Sequence, residues 1–149
     1  MQLNFPPYNF RLSEQEGRSY IFDIIRKKNI LLSPEEWVRQ HVIHFLITDK
    51  KIAASLIAVE RQLEVNKLKK RFDVLVFDKT GKPKILVECK SPDIKLDENT
   101  SRQIAIYNSK LMAPYLFITN GLQHYFFRFD KGKKEFEQVN DIFESDFSY

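Results

Sequence analysis

The sequence predicts an α/β domain in which a mixed central β-sheet is flanked by helices. Three observations predict it. Ser33-Pro34-Glu35-Glu36 opens a helix, with serine at the cap, proline at the first position and acids in the first turn. Residues 71–77 (RFDVLVF) and 84–90 (KILVECK) are near-continuous apolar runs holding a few charges. Between them lies the turn sequence Asp78-Lys79-Thr80-Gly81-Lys82-Pro83, so the two runs read as a hairpin of central strands. A further helix and two strands follow. The order of helix, three strands, helix and two strands is that of a mixed sheet with helices packed against it.

The elements follow in chain order. Residues 1–9 contain Pro6 and Pro7 and read as an arm laid on the surface. Residues 10–12 and 20–25 read as two short strands joined by a turn at Glu16-Gly17. A helix over 13–28 is the alternative, because Ser13 and Glu16 have the spacing of a capping box, though Gly17 weakens it. After Ser33, Val38, Val42, Phe45 and Leu46 recur at helical spacing to about Asp49. Residues 55–65 suit an extended strand that Asn66-Lys67 breaks. Residues 97–111 read as a helix, 115–119 as a strand, Asn120-Gly121 as a turn and 123–129 as a strand that Lys131-Gly132 ends. There is no internal repeat and no low-complexity segment. The 149 residues read as a single domain, 1–149, with its core in roughly residues 20–130.

Composition excludes several classes. A chain that is 43% hydrophobic and 13% aromatic is not a disordered one. Lys and Arg number 24 against 20 Asp and Glu, and the net charge of +4 suits a nucleic-acid partner without demanding one. The single cysteine, Cys89, has no internal disulfide partner, which fits a reducing cytoplasm. No apolar run reaches the roughly 18 residues of a membrane span, and residues 1–10 lack a signal-peptide pattern. The expectation is a soluble cytoplasmic protein with no membrane contact. His41, His44 and His124 have no Cys or acidic partners at zinc-ligand spacing and read as structural or exposed. There is no Walker loop, and no Ser/His/Asp or Cys/His pattern for a small-molecule hydrolase.

The chemistry gathers on the hairpin. If Phe77 pairs with Lys84 across the turn, Asp73 lies directly opposite Glu88, with Cβ atoms roughly 5 Å apart. Alternation then puts Glu88 and Lys90 on one face and turns Cys89 into the core, away from the carboxylates. Two facing carboxylates among Val, Leu, Ile and Phe repel each other, and apolar surroundings raise the cost of charging them. A divalent cation resolves the conflict. Mg²⁺ prefers oxygen ligands and is often held by one or two carboxylates plus waters and phosphate. The Cys89 backbone carbonyl is a third candidate ligand. Lys90 then faces a water or the scissile phosphate. The plainer account is an exposed ion pair at the strand ends. Lys67, Lys69, Lys70 and Arg71 form a basic cluster before the Asp73 strand, either a solvated turn or a contact to a DNA backbone.

The arrangement resembles the PD-(D/E)xK nuclease superfamily, with Asp73 at the motif's Asp and Glu88-Cys89-Lys90 at its E-x-K. More narrowly, it resembles the N-terminal nuclease domain of type I restriction enzyme motor (R) subunits and its stand-alone relatives. The residues that carry this are Pro34-Glu35-Glu36-Trp37-Val38-Arg39-Gln40, Arg71-Phe72-Asp73, Leu86-Val87-Glu88-Cys89-Lys90-Ser91-Pro92, Gln103-Ile104-Ala105-Ile106-Tyr107-Asn108 and Thr119-Asn120-Gly121. The resemblance spans roughly residues 20–130. It implies a restriction-endonuclease-like fold and a metal-dependent endonuclease cutting DNA. Mg²⁺, or Mn²⁺ in its place, would sit on Asp73, Glu88 and the Cys89 carbonyl, with Lys90 catalytic. A helix before the sheet often adds a Glu, here Glu35 or Glu36. Glu36 is favoured because Arg39 lies three residues on, which leaves Glu35 to the helix cap. Gln103 and Tyr107 match the Q-x-x-x-Y element of RecB-like nucleases, and Gln103 would support the site. DNA is the expected partner, with a homodimer or separate motor and specificity subunits. The alternative is a non-catalytic DNA-binding or assembly module of a restriction-like complex.

Overall fold

The computed structural model describes residues 1–143. Its first unit is a three-stranded antiparallel sheet of β1 (Leu12–Gln15), β2 (Arg18–Asp23) and β3 (Lys28–Leu31). The strand reading of this region holds over the helical one. Glu16 and Gly17 both take positive φ, 52° and 76°, which closes a two-residue hairpin turn and cannot continue a helix. β3 has no counterpart in the sequence expectations. It is a short, mostly exposed strand with no apolar alternation, and it forms because Asp23 turns the chain back. The Asp23 carboxylate accepts the backbone N–H groups of Ile25 and Arg26 at 2.8 and 2.7 Å.

The first helix, α1 (Pro34–His44), starts as its cap sequence requires, with the Ser33 hydroxyl accepting the Glu36 N–H at 3.1 Å. It runs on as a π-helical turn, Phe45–Asp49, which matches the expected end near Asp49. Val38, Val42, Ile43 and Leu46 are wholly buried on its inner side.

A six-stranded sheet follows: β4 (Ile57–Val65), β5 (Leu68–Phe77), β6 (Pro83–Cys89), β7 (Tyr115–Thr119), β8 (His124–Asp130) and β9 (Glu135–Val139), side by side in chain order. Neighbours are antiparallel except β6 and β7, which run parallel and are joined through α2 (Glu98–Asn108). The sheet is therefore mixed, as the order of elements predicts. α2 opens on a reciprocal cap between Asp97 and Thr100. β9 is the other strand absent from the sequence expectations. Three of its five residues are Glu or Gln, and its pairing with β8, Phe129 to Phe136 among others, is visible only in three dimensions.

The central hairpin corrects one register. Val74 pairs with Val87, Leu75 with Leu86 and Val76 with Ile85, which is the expected alignment. Phe77, however, pairs with Pro83 and not with Lys84, and a bulge lies between Val76 and Phe77. The Asp78 carboxylate explains the tighter closure, because it accepts the N–H groups of Thr80 and Lys82 and gathers the turn inside residues 78–82.

The sheet carries a core on each face. Val74, Val76, Ile85, Val87, Cys89 and Phe117 pack beneath α1. Phe72, Leu75, Leu86, Leu116, Ile118 and Phe127 pack on the α2 side with Ala105. The N-terminal arm is docked: Leu3 is buried, and the Asn4 N–H donates to the Gly121 carbonyl at 2.7 Å. Among the described residues no helix is long and apolar enough to cross a membrane.

Candidate active site

The site forms where β5 and β6 part. Their backbone ladder ends at the Val74–Val87 pair. One residue earlier, Asp73 substitutes its side chain for a backbone partner: its Oδ2 accepts the Cys89 N–H at 2.7 Å. Lys90, just past the end of β6, donates its N–H to the Thr119 carbonyl at 2.8 Å. β4 is interrupted at the same level. Val59 pairs with Val74 and Arg61 with Phe72, while Glu60 between them has φ +53°. Residues on either side of this break serve different cores, Val59 and Val74 the α1 side, Leu63 and Phe72 the α2 side. Asp73 thus stands at a kink, half-exposed at the α1 face.

α1 brings Glu35, Glu36, Arg39 and Gln40 to that point. Arg39 Nη2 lies 2.9 Å from Asp73 Oδ1, and its Nη1 donates to Glu36 Oε1 at 2.6 Å. The other Glu36 oxygen accepts from Arg26 and Gln40, both at 3.0 Å. Asp23, fully buried, binds Arg26 Nε and Gln40 Nε2 at 2.8 and 2.9 Å. Glu60 lies 3.5 Å from Arg39 and 3.7 Å from Arg26. Five carboxylates (Asp23, Glu35, Glu36, Glu60 and Asp73) therefore surround two guanidiniums, an excess of three negative charges. Burial alone would lower the Arg39 pKa, but the Glu36 and Asp73 carboxylates outweigh it and push it up.

The two acids that open α1 differ sharply. Glu36 is 5% exposed and both its oxygens are engaged. The Glu35 side chain is 48% exposed. Burial and then the Asp73 charge raise the Glu35 carboxyl pKa, while Arg39 and Lys90 pull it down, so Lys90 lies in the same field as Asp73 and Glu35. Cys89 fills the α1-side core as expected, but the carboxylate it faces away from is Glu88. Its thiol is pushed up first by burial and then by Asp73. The kink at Asp73 is the reason, because it brings that carboxylate to the Cys89 side of the sheet.

Glu88 points to the α2 side, where it is 6% exposed. It accepts from Lys70 Nζ, and from Asn108 Nδ2 at 2.8 Å. Lys70 in turn lies over the Tyr107 ring, 4.7 Å from its centroid. Asn108 is wholly buried, also donates to the Ile104 carbonyl at 2.9 Å, and leaves its Oδ1 without a partner. Gln103 and Tyr107 share an exposed face of α2. The structure thus gathers Asp73, Glu35, Glu36 and the Lys90 field at α1, holds the Glu88 carboxylate on the α2 side between Lys70 and Asn108, and leaves Gln103 in solvent; the expected facing pair of Asp73 and Glu88 is not formed, because the kink turns Asp73 to α1 while Glu88 keeps the strand's alternation. Lys70 and Asn108 escaped the sequence expectations as partners of Glu88. Asn108 ends the Gln103–Asn108 motif, which was the available signal. His41 and His124 bond backbone carbonyls of Trp37 and Asn4 at 2.8 and 2.7 Å, which is structural service.

Among the described residues no three His, Cys, Asp or Glu side chains form a ready cage for a metal. Mg²⁺ does not need one, since it keeps several waters and takes one or two carboxylates. The donor chemistry here is that of a hard cation: carboxylate and carbonyl oxygens, surplus negative charge, and a thiol kept protonated by burial.

A family model described as type I restriction enzyme R protein N terminus (HSDR_N) matches residues 34–142, from the first residue of α1 to beyond β9. The chain is also similar to a crystal structure from Anabaena variabilis ATCC 29413 named a "putative nuclease belonging to DUF820". That likeness has 13% identity and a TM-score of 0.45, over 87% of this chain and 80% of that one. No curated protein matches.

Proposed function

The chain belongs to the type I restriction enzyme R protein N-terminus family, and on that footing we propose that it is a metal-dependent endonuclease hydrolysing DNA phosphodiester bonds in restriction or defence, acting in the cytoplasm. The observation that supports this most is the position of Asp73. It stands where β5 and β6 part, bonded to the Cys89 N–H, with Glu35 and Lys90 sharing its field. Asp73 and the Cys89 carbonyl would hold Mg²⁺ or Mn²⁺, and Glu88 would join them on leaving Lys70 and Asn108. The bound ion supplies a more acidic water and neutralises charge on the phosphate.

The chain's own groups do the rest. Lys90 orients the attacking water or the scissile phosphate and balances charge as it develops. Glu35 is the α1 acid free to meet water or metal, whereas Glu36 fixes Arg39 and through it Asp73. Asn108 and Lys70 set the direction of Glu88. Gln103, from its exposed face of α2, supports the phosphate side. One chain carries one such site, so a double-strand cut takes two chains, as a homodimer or beside motor and specificity subunits, or two events.

The test is cleavage of plasmid DNA by pure protein with Mg²⁺ or Mn²⁺, with EDTA as the blank. Lys90→Ala should cut the rate by on the order of a hundredfold or more. Lys79→Ala, in the neighbouring turn, should change little. Calorimetric titration should lose metal binding in Asp73→Ala. If the wild type binds DNA but never cuts it, alone or with motor subunits, the non-catalytic module is the right account.

A further inference from the structure

We propose that the outer face of the β4–β5 hairpin is the surface that grips the nucleic-acid backbone and leads it to the candidate site. The inference rests on the nuclease reading and names where that substrate is held.

The candidate site cannot supply the affinity itself. The five acids around Arg26 and Arg39 outnumber those two cations by three and repel phosphate, and nucleic-acid affinity comes mainly from cations set against phosphates. The whole chain carries a net charge of only +4, so the cations must be concentrated somewhere. Residues 61–71 hold Arg61, Lys67, Lys69, Lys70 and Arg71 against the single acid Glu64. The lysines of the β8–β9 turn, Lys131, Lys133 and Lys134, are instead flanked by Asp130, Glu135 and Glu137.

Register sorts the hairpin cations by face. The pairs Leu63–Lys70, Val65–Leu68 and Arg61–Phe72 share one side, and Leu63, Val65, Leu68 and Phe72 pack that side onto the α2-side core. Lys70 is thereby directed inward to Glu88. The pairs Glu64–Lys69 and Gln62–Arg71 lie on the other side, and all four residues are exposed. Lys67 sits at the turn with φ +68°. Lys110, in the turn that follows α2, lines the same shallow depression at the hairpin tip as Lys67. The outer face therefore presents Lys67, Lys69 and Arg71, with Lys110 beside the tip, against Glu64.

Spacing fits the ligand. Residues two apart on a strand are roughly 7 Å apart along it, about the rise of two phosphates on one strand. Lys69 and Arg71 make such a row, with Lys67 at the turn before it, and the next step along it is Asp73. A strand held on this row runs toward the acid cluster.

The experiment measures fluorescence anisotropy of a labelled 20–30 base-pair duplex in EDTA over a salt series, so that cleavage plays no part. The triple variant Lys67→Gln, Lys69→Gln, Arg71→Gln is set against Lys131→Gln, Lys133→Gln, Lys134→Gln, which removes the same charge elsewhere. The hairpin variant should lower the slope of log affinity on log salt by about 2–3, near 0.9 for each lost phosphate contact, and weaken binding on the order of tenfold or more. The control should lose less than about half a unit. Lys69→Gln alone, on an exposed side chain, should lose about one unit and keeps the test intact should the triple variant fold badly. Equal losses in both triples, or an unchanged slope in the hairpin variant, would overturn the proposal. Metal titration and plasmid cleavage by the wild type decide the nuclease reading separately: cleavage with an unchanged hairpin slope, or with no duplex binding in EDTA, sinks only the surface, and a wild type that neither cleaves nor binds sinks both.

Discussion

The Arg39 guanidinium lies 2.6 Å from Glu36, 2.9 Å from Asp73, 3.5 Å from Glu60 and 3.8 Å from Glu35. These four acids do unlike work, and substitution should separate them. Glu36→Gln leaves buried Arg39 and half-buried Arg26 short of a charge partner. Breaking a buried pair from one side typically costs about 3–5 kcal/mol, so urea unfolding at pH 7 should show a loss of about 2–4 kcal/mol, Arg39 keeping its other acids. Glu35→Gln should behave oppositely. Its folded pKa is raised, so the fold disfavours the charged form and loses stability as pH rises through the carboxylate range. Removing that charge should leave stability at pH 7 unchanged or slightly higher, with the gain vanishing at pH 4. The same variant should bind Mn²⁺ more weakly in calorimetry. Equal destabilisation by the two substitutions would make Glu35 structural and return the α1 role to Glu36.

The elements were legible where the chain writes its own punctuation. Ser33-Pro34, Asn66-Lys67, Asp97 and Asn120-Gly121 mark ends that the structure respects, because caps and positive-φ turns act over a few residues. β3 and β9 were not legible. Their residues carry no apolar period, and partners on β2 and β8 make them strands. The site divides the same way. Asp73, Glu88 and Lys90 stand out as charges inside apolar strands, but the kink that turns Asp73 toward α1, and the bonds of Glu88 to Lys70 and Asn108, are made across 18 to 34 positions of sequence. The Asn120-Gly121 turn offers a direct test of element-scale packing. Gly121 has φ +89°, and a Cβ there would meet Leu3 at 2.9 Å and Val38 at 3.1 Å. Gly121→Ala should therefore cost about 1–3 kcal/mol from backbone strain and overpacking together. Thermal melting should show this, with a further loosening of the arm that Asn4 ties to Gly121. An unchanged melt would mean that the arm is not packed there.

At the scale of the molecule, stability should depend on pH through groups far from the candidate chemistry. His41, His44 and His124 lie among Phe5, Tyr8, Phe10, Trp37 and Phe117, with ring centroids as close as 4.5 Å. Burial holds all three below the usual histidine pKa; a carbonyl opposes it at His41 and His124, and the Asp23 charge opposes it at His44. The sign follows from linkage. Above the unfolded histidine pKa, near 6.5, both folded and unfolded chains carry neutral rings and nothing is lost. As pH falls below it the unfolded chain takes up protons that the folded chain refuses, so the fold loses stability until the lower folded pKa values are reached. Melting followed from pH 7.5 to 5.0 should therefore show a fall that begins near pH 6.5, with uptake of up to three protons on unfolding. Glu35 acts in the opposite sense but lower, in the carboxylate range, so the two effects separate along the pH axis. His44→Phe removes a buried nitrogen, Nε2, that has no partner, and should flatten the fall by about one proton. A melting temperature constant from pH 7.5 to 5.5 would mean that the rings titrate alike in both states and that the aromatic cluster under the arm is open to water.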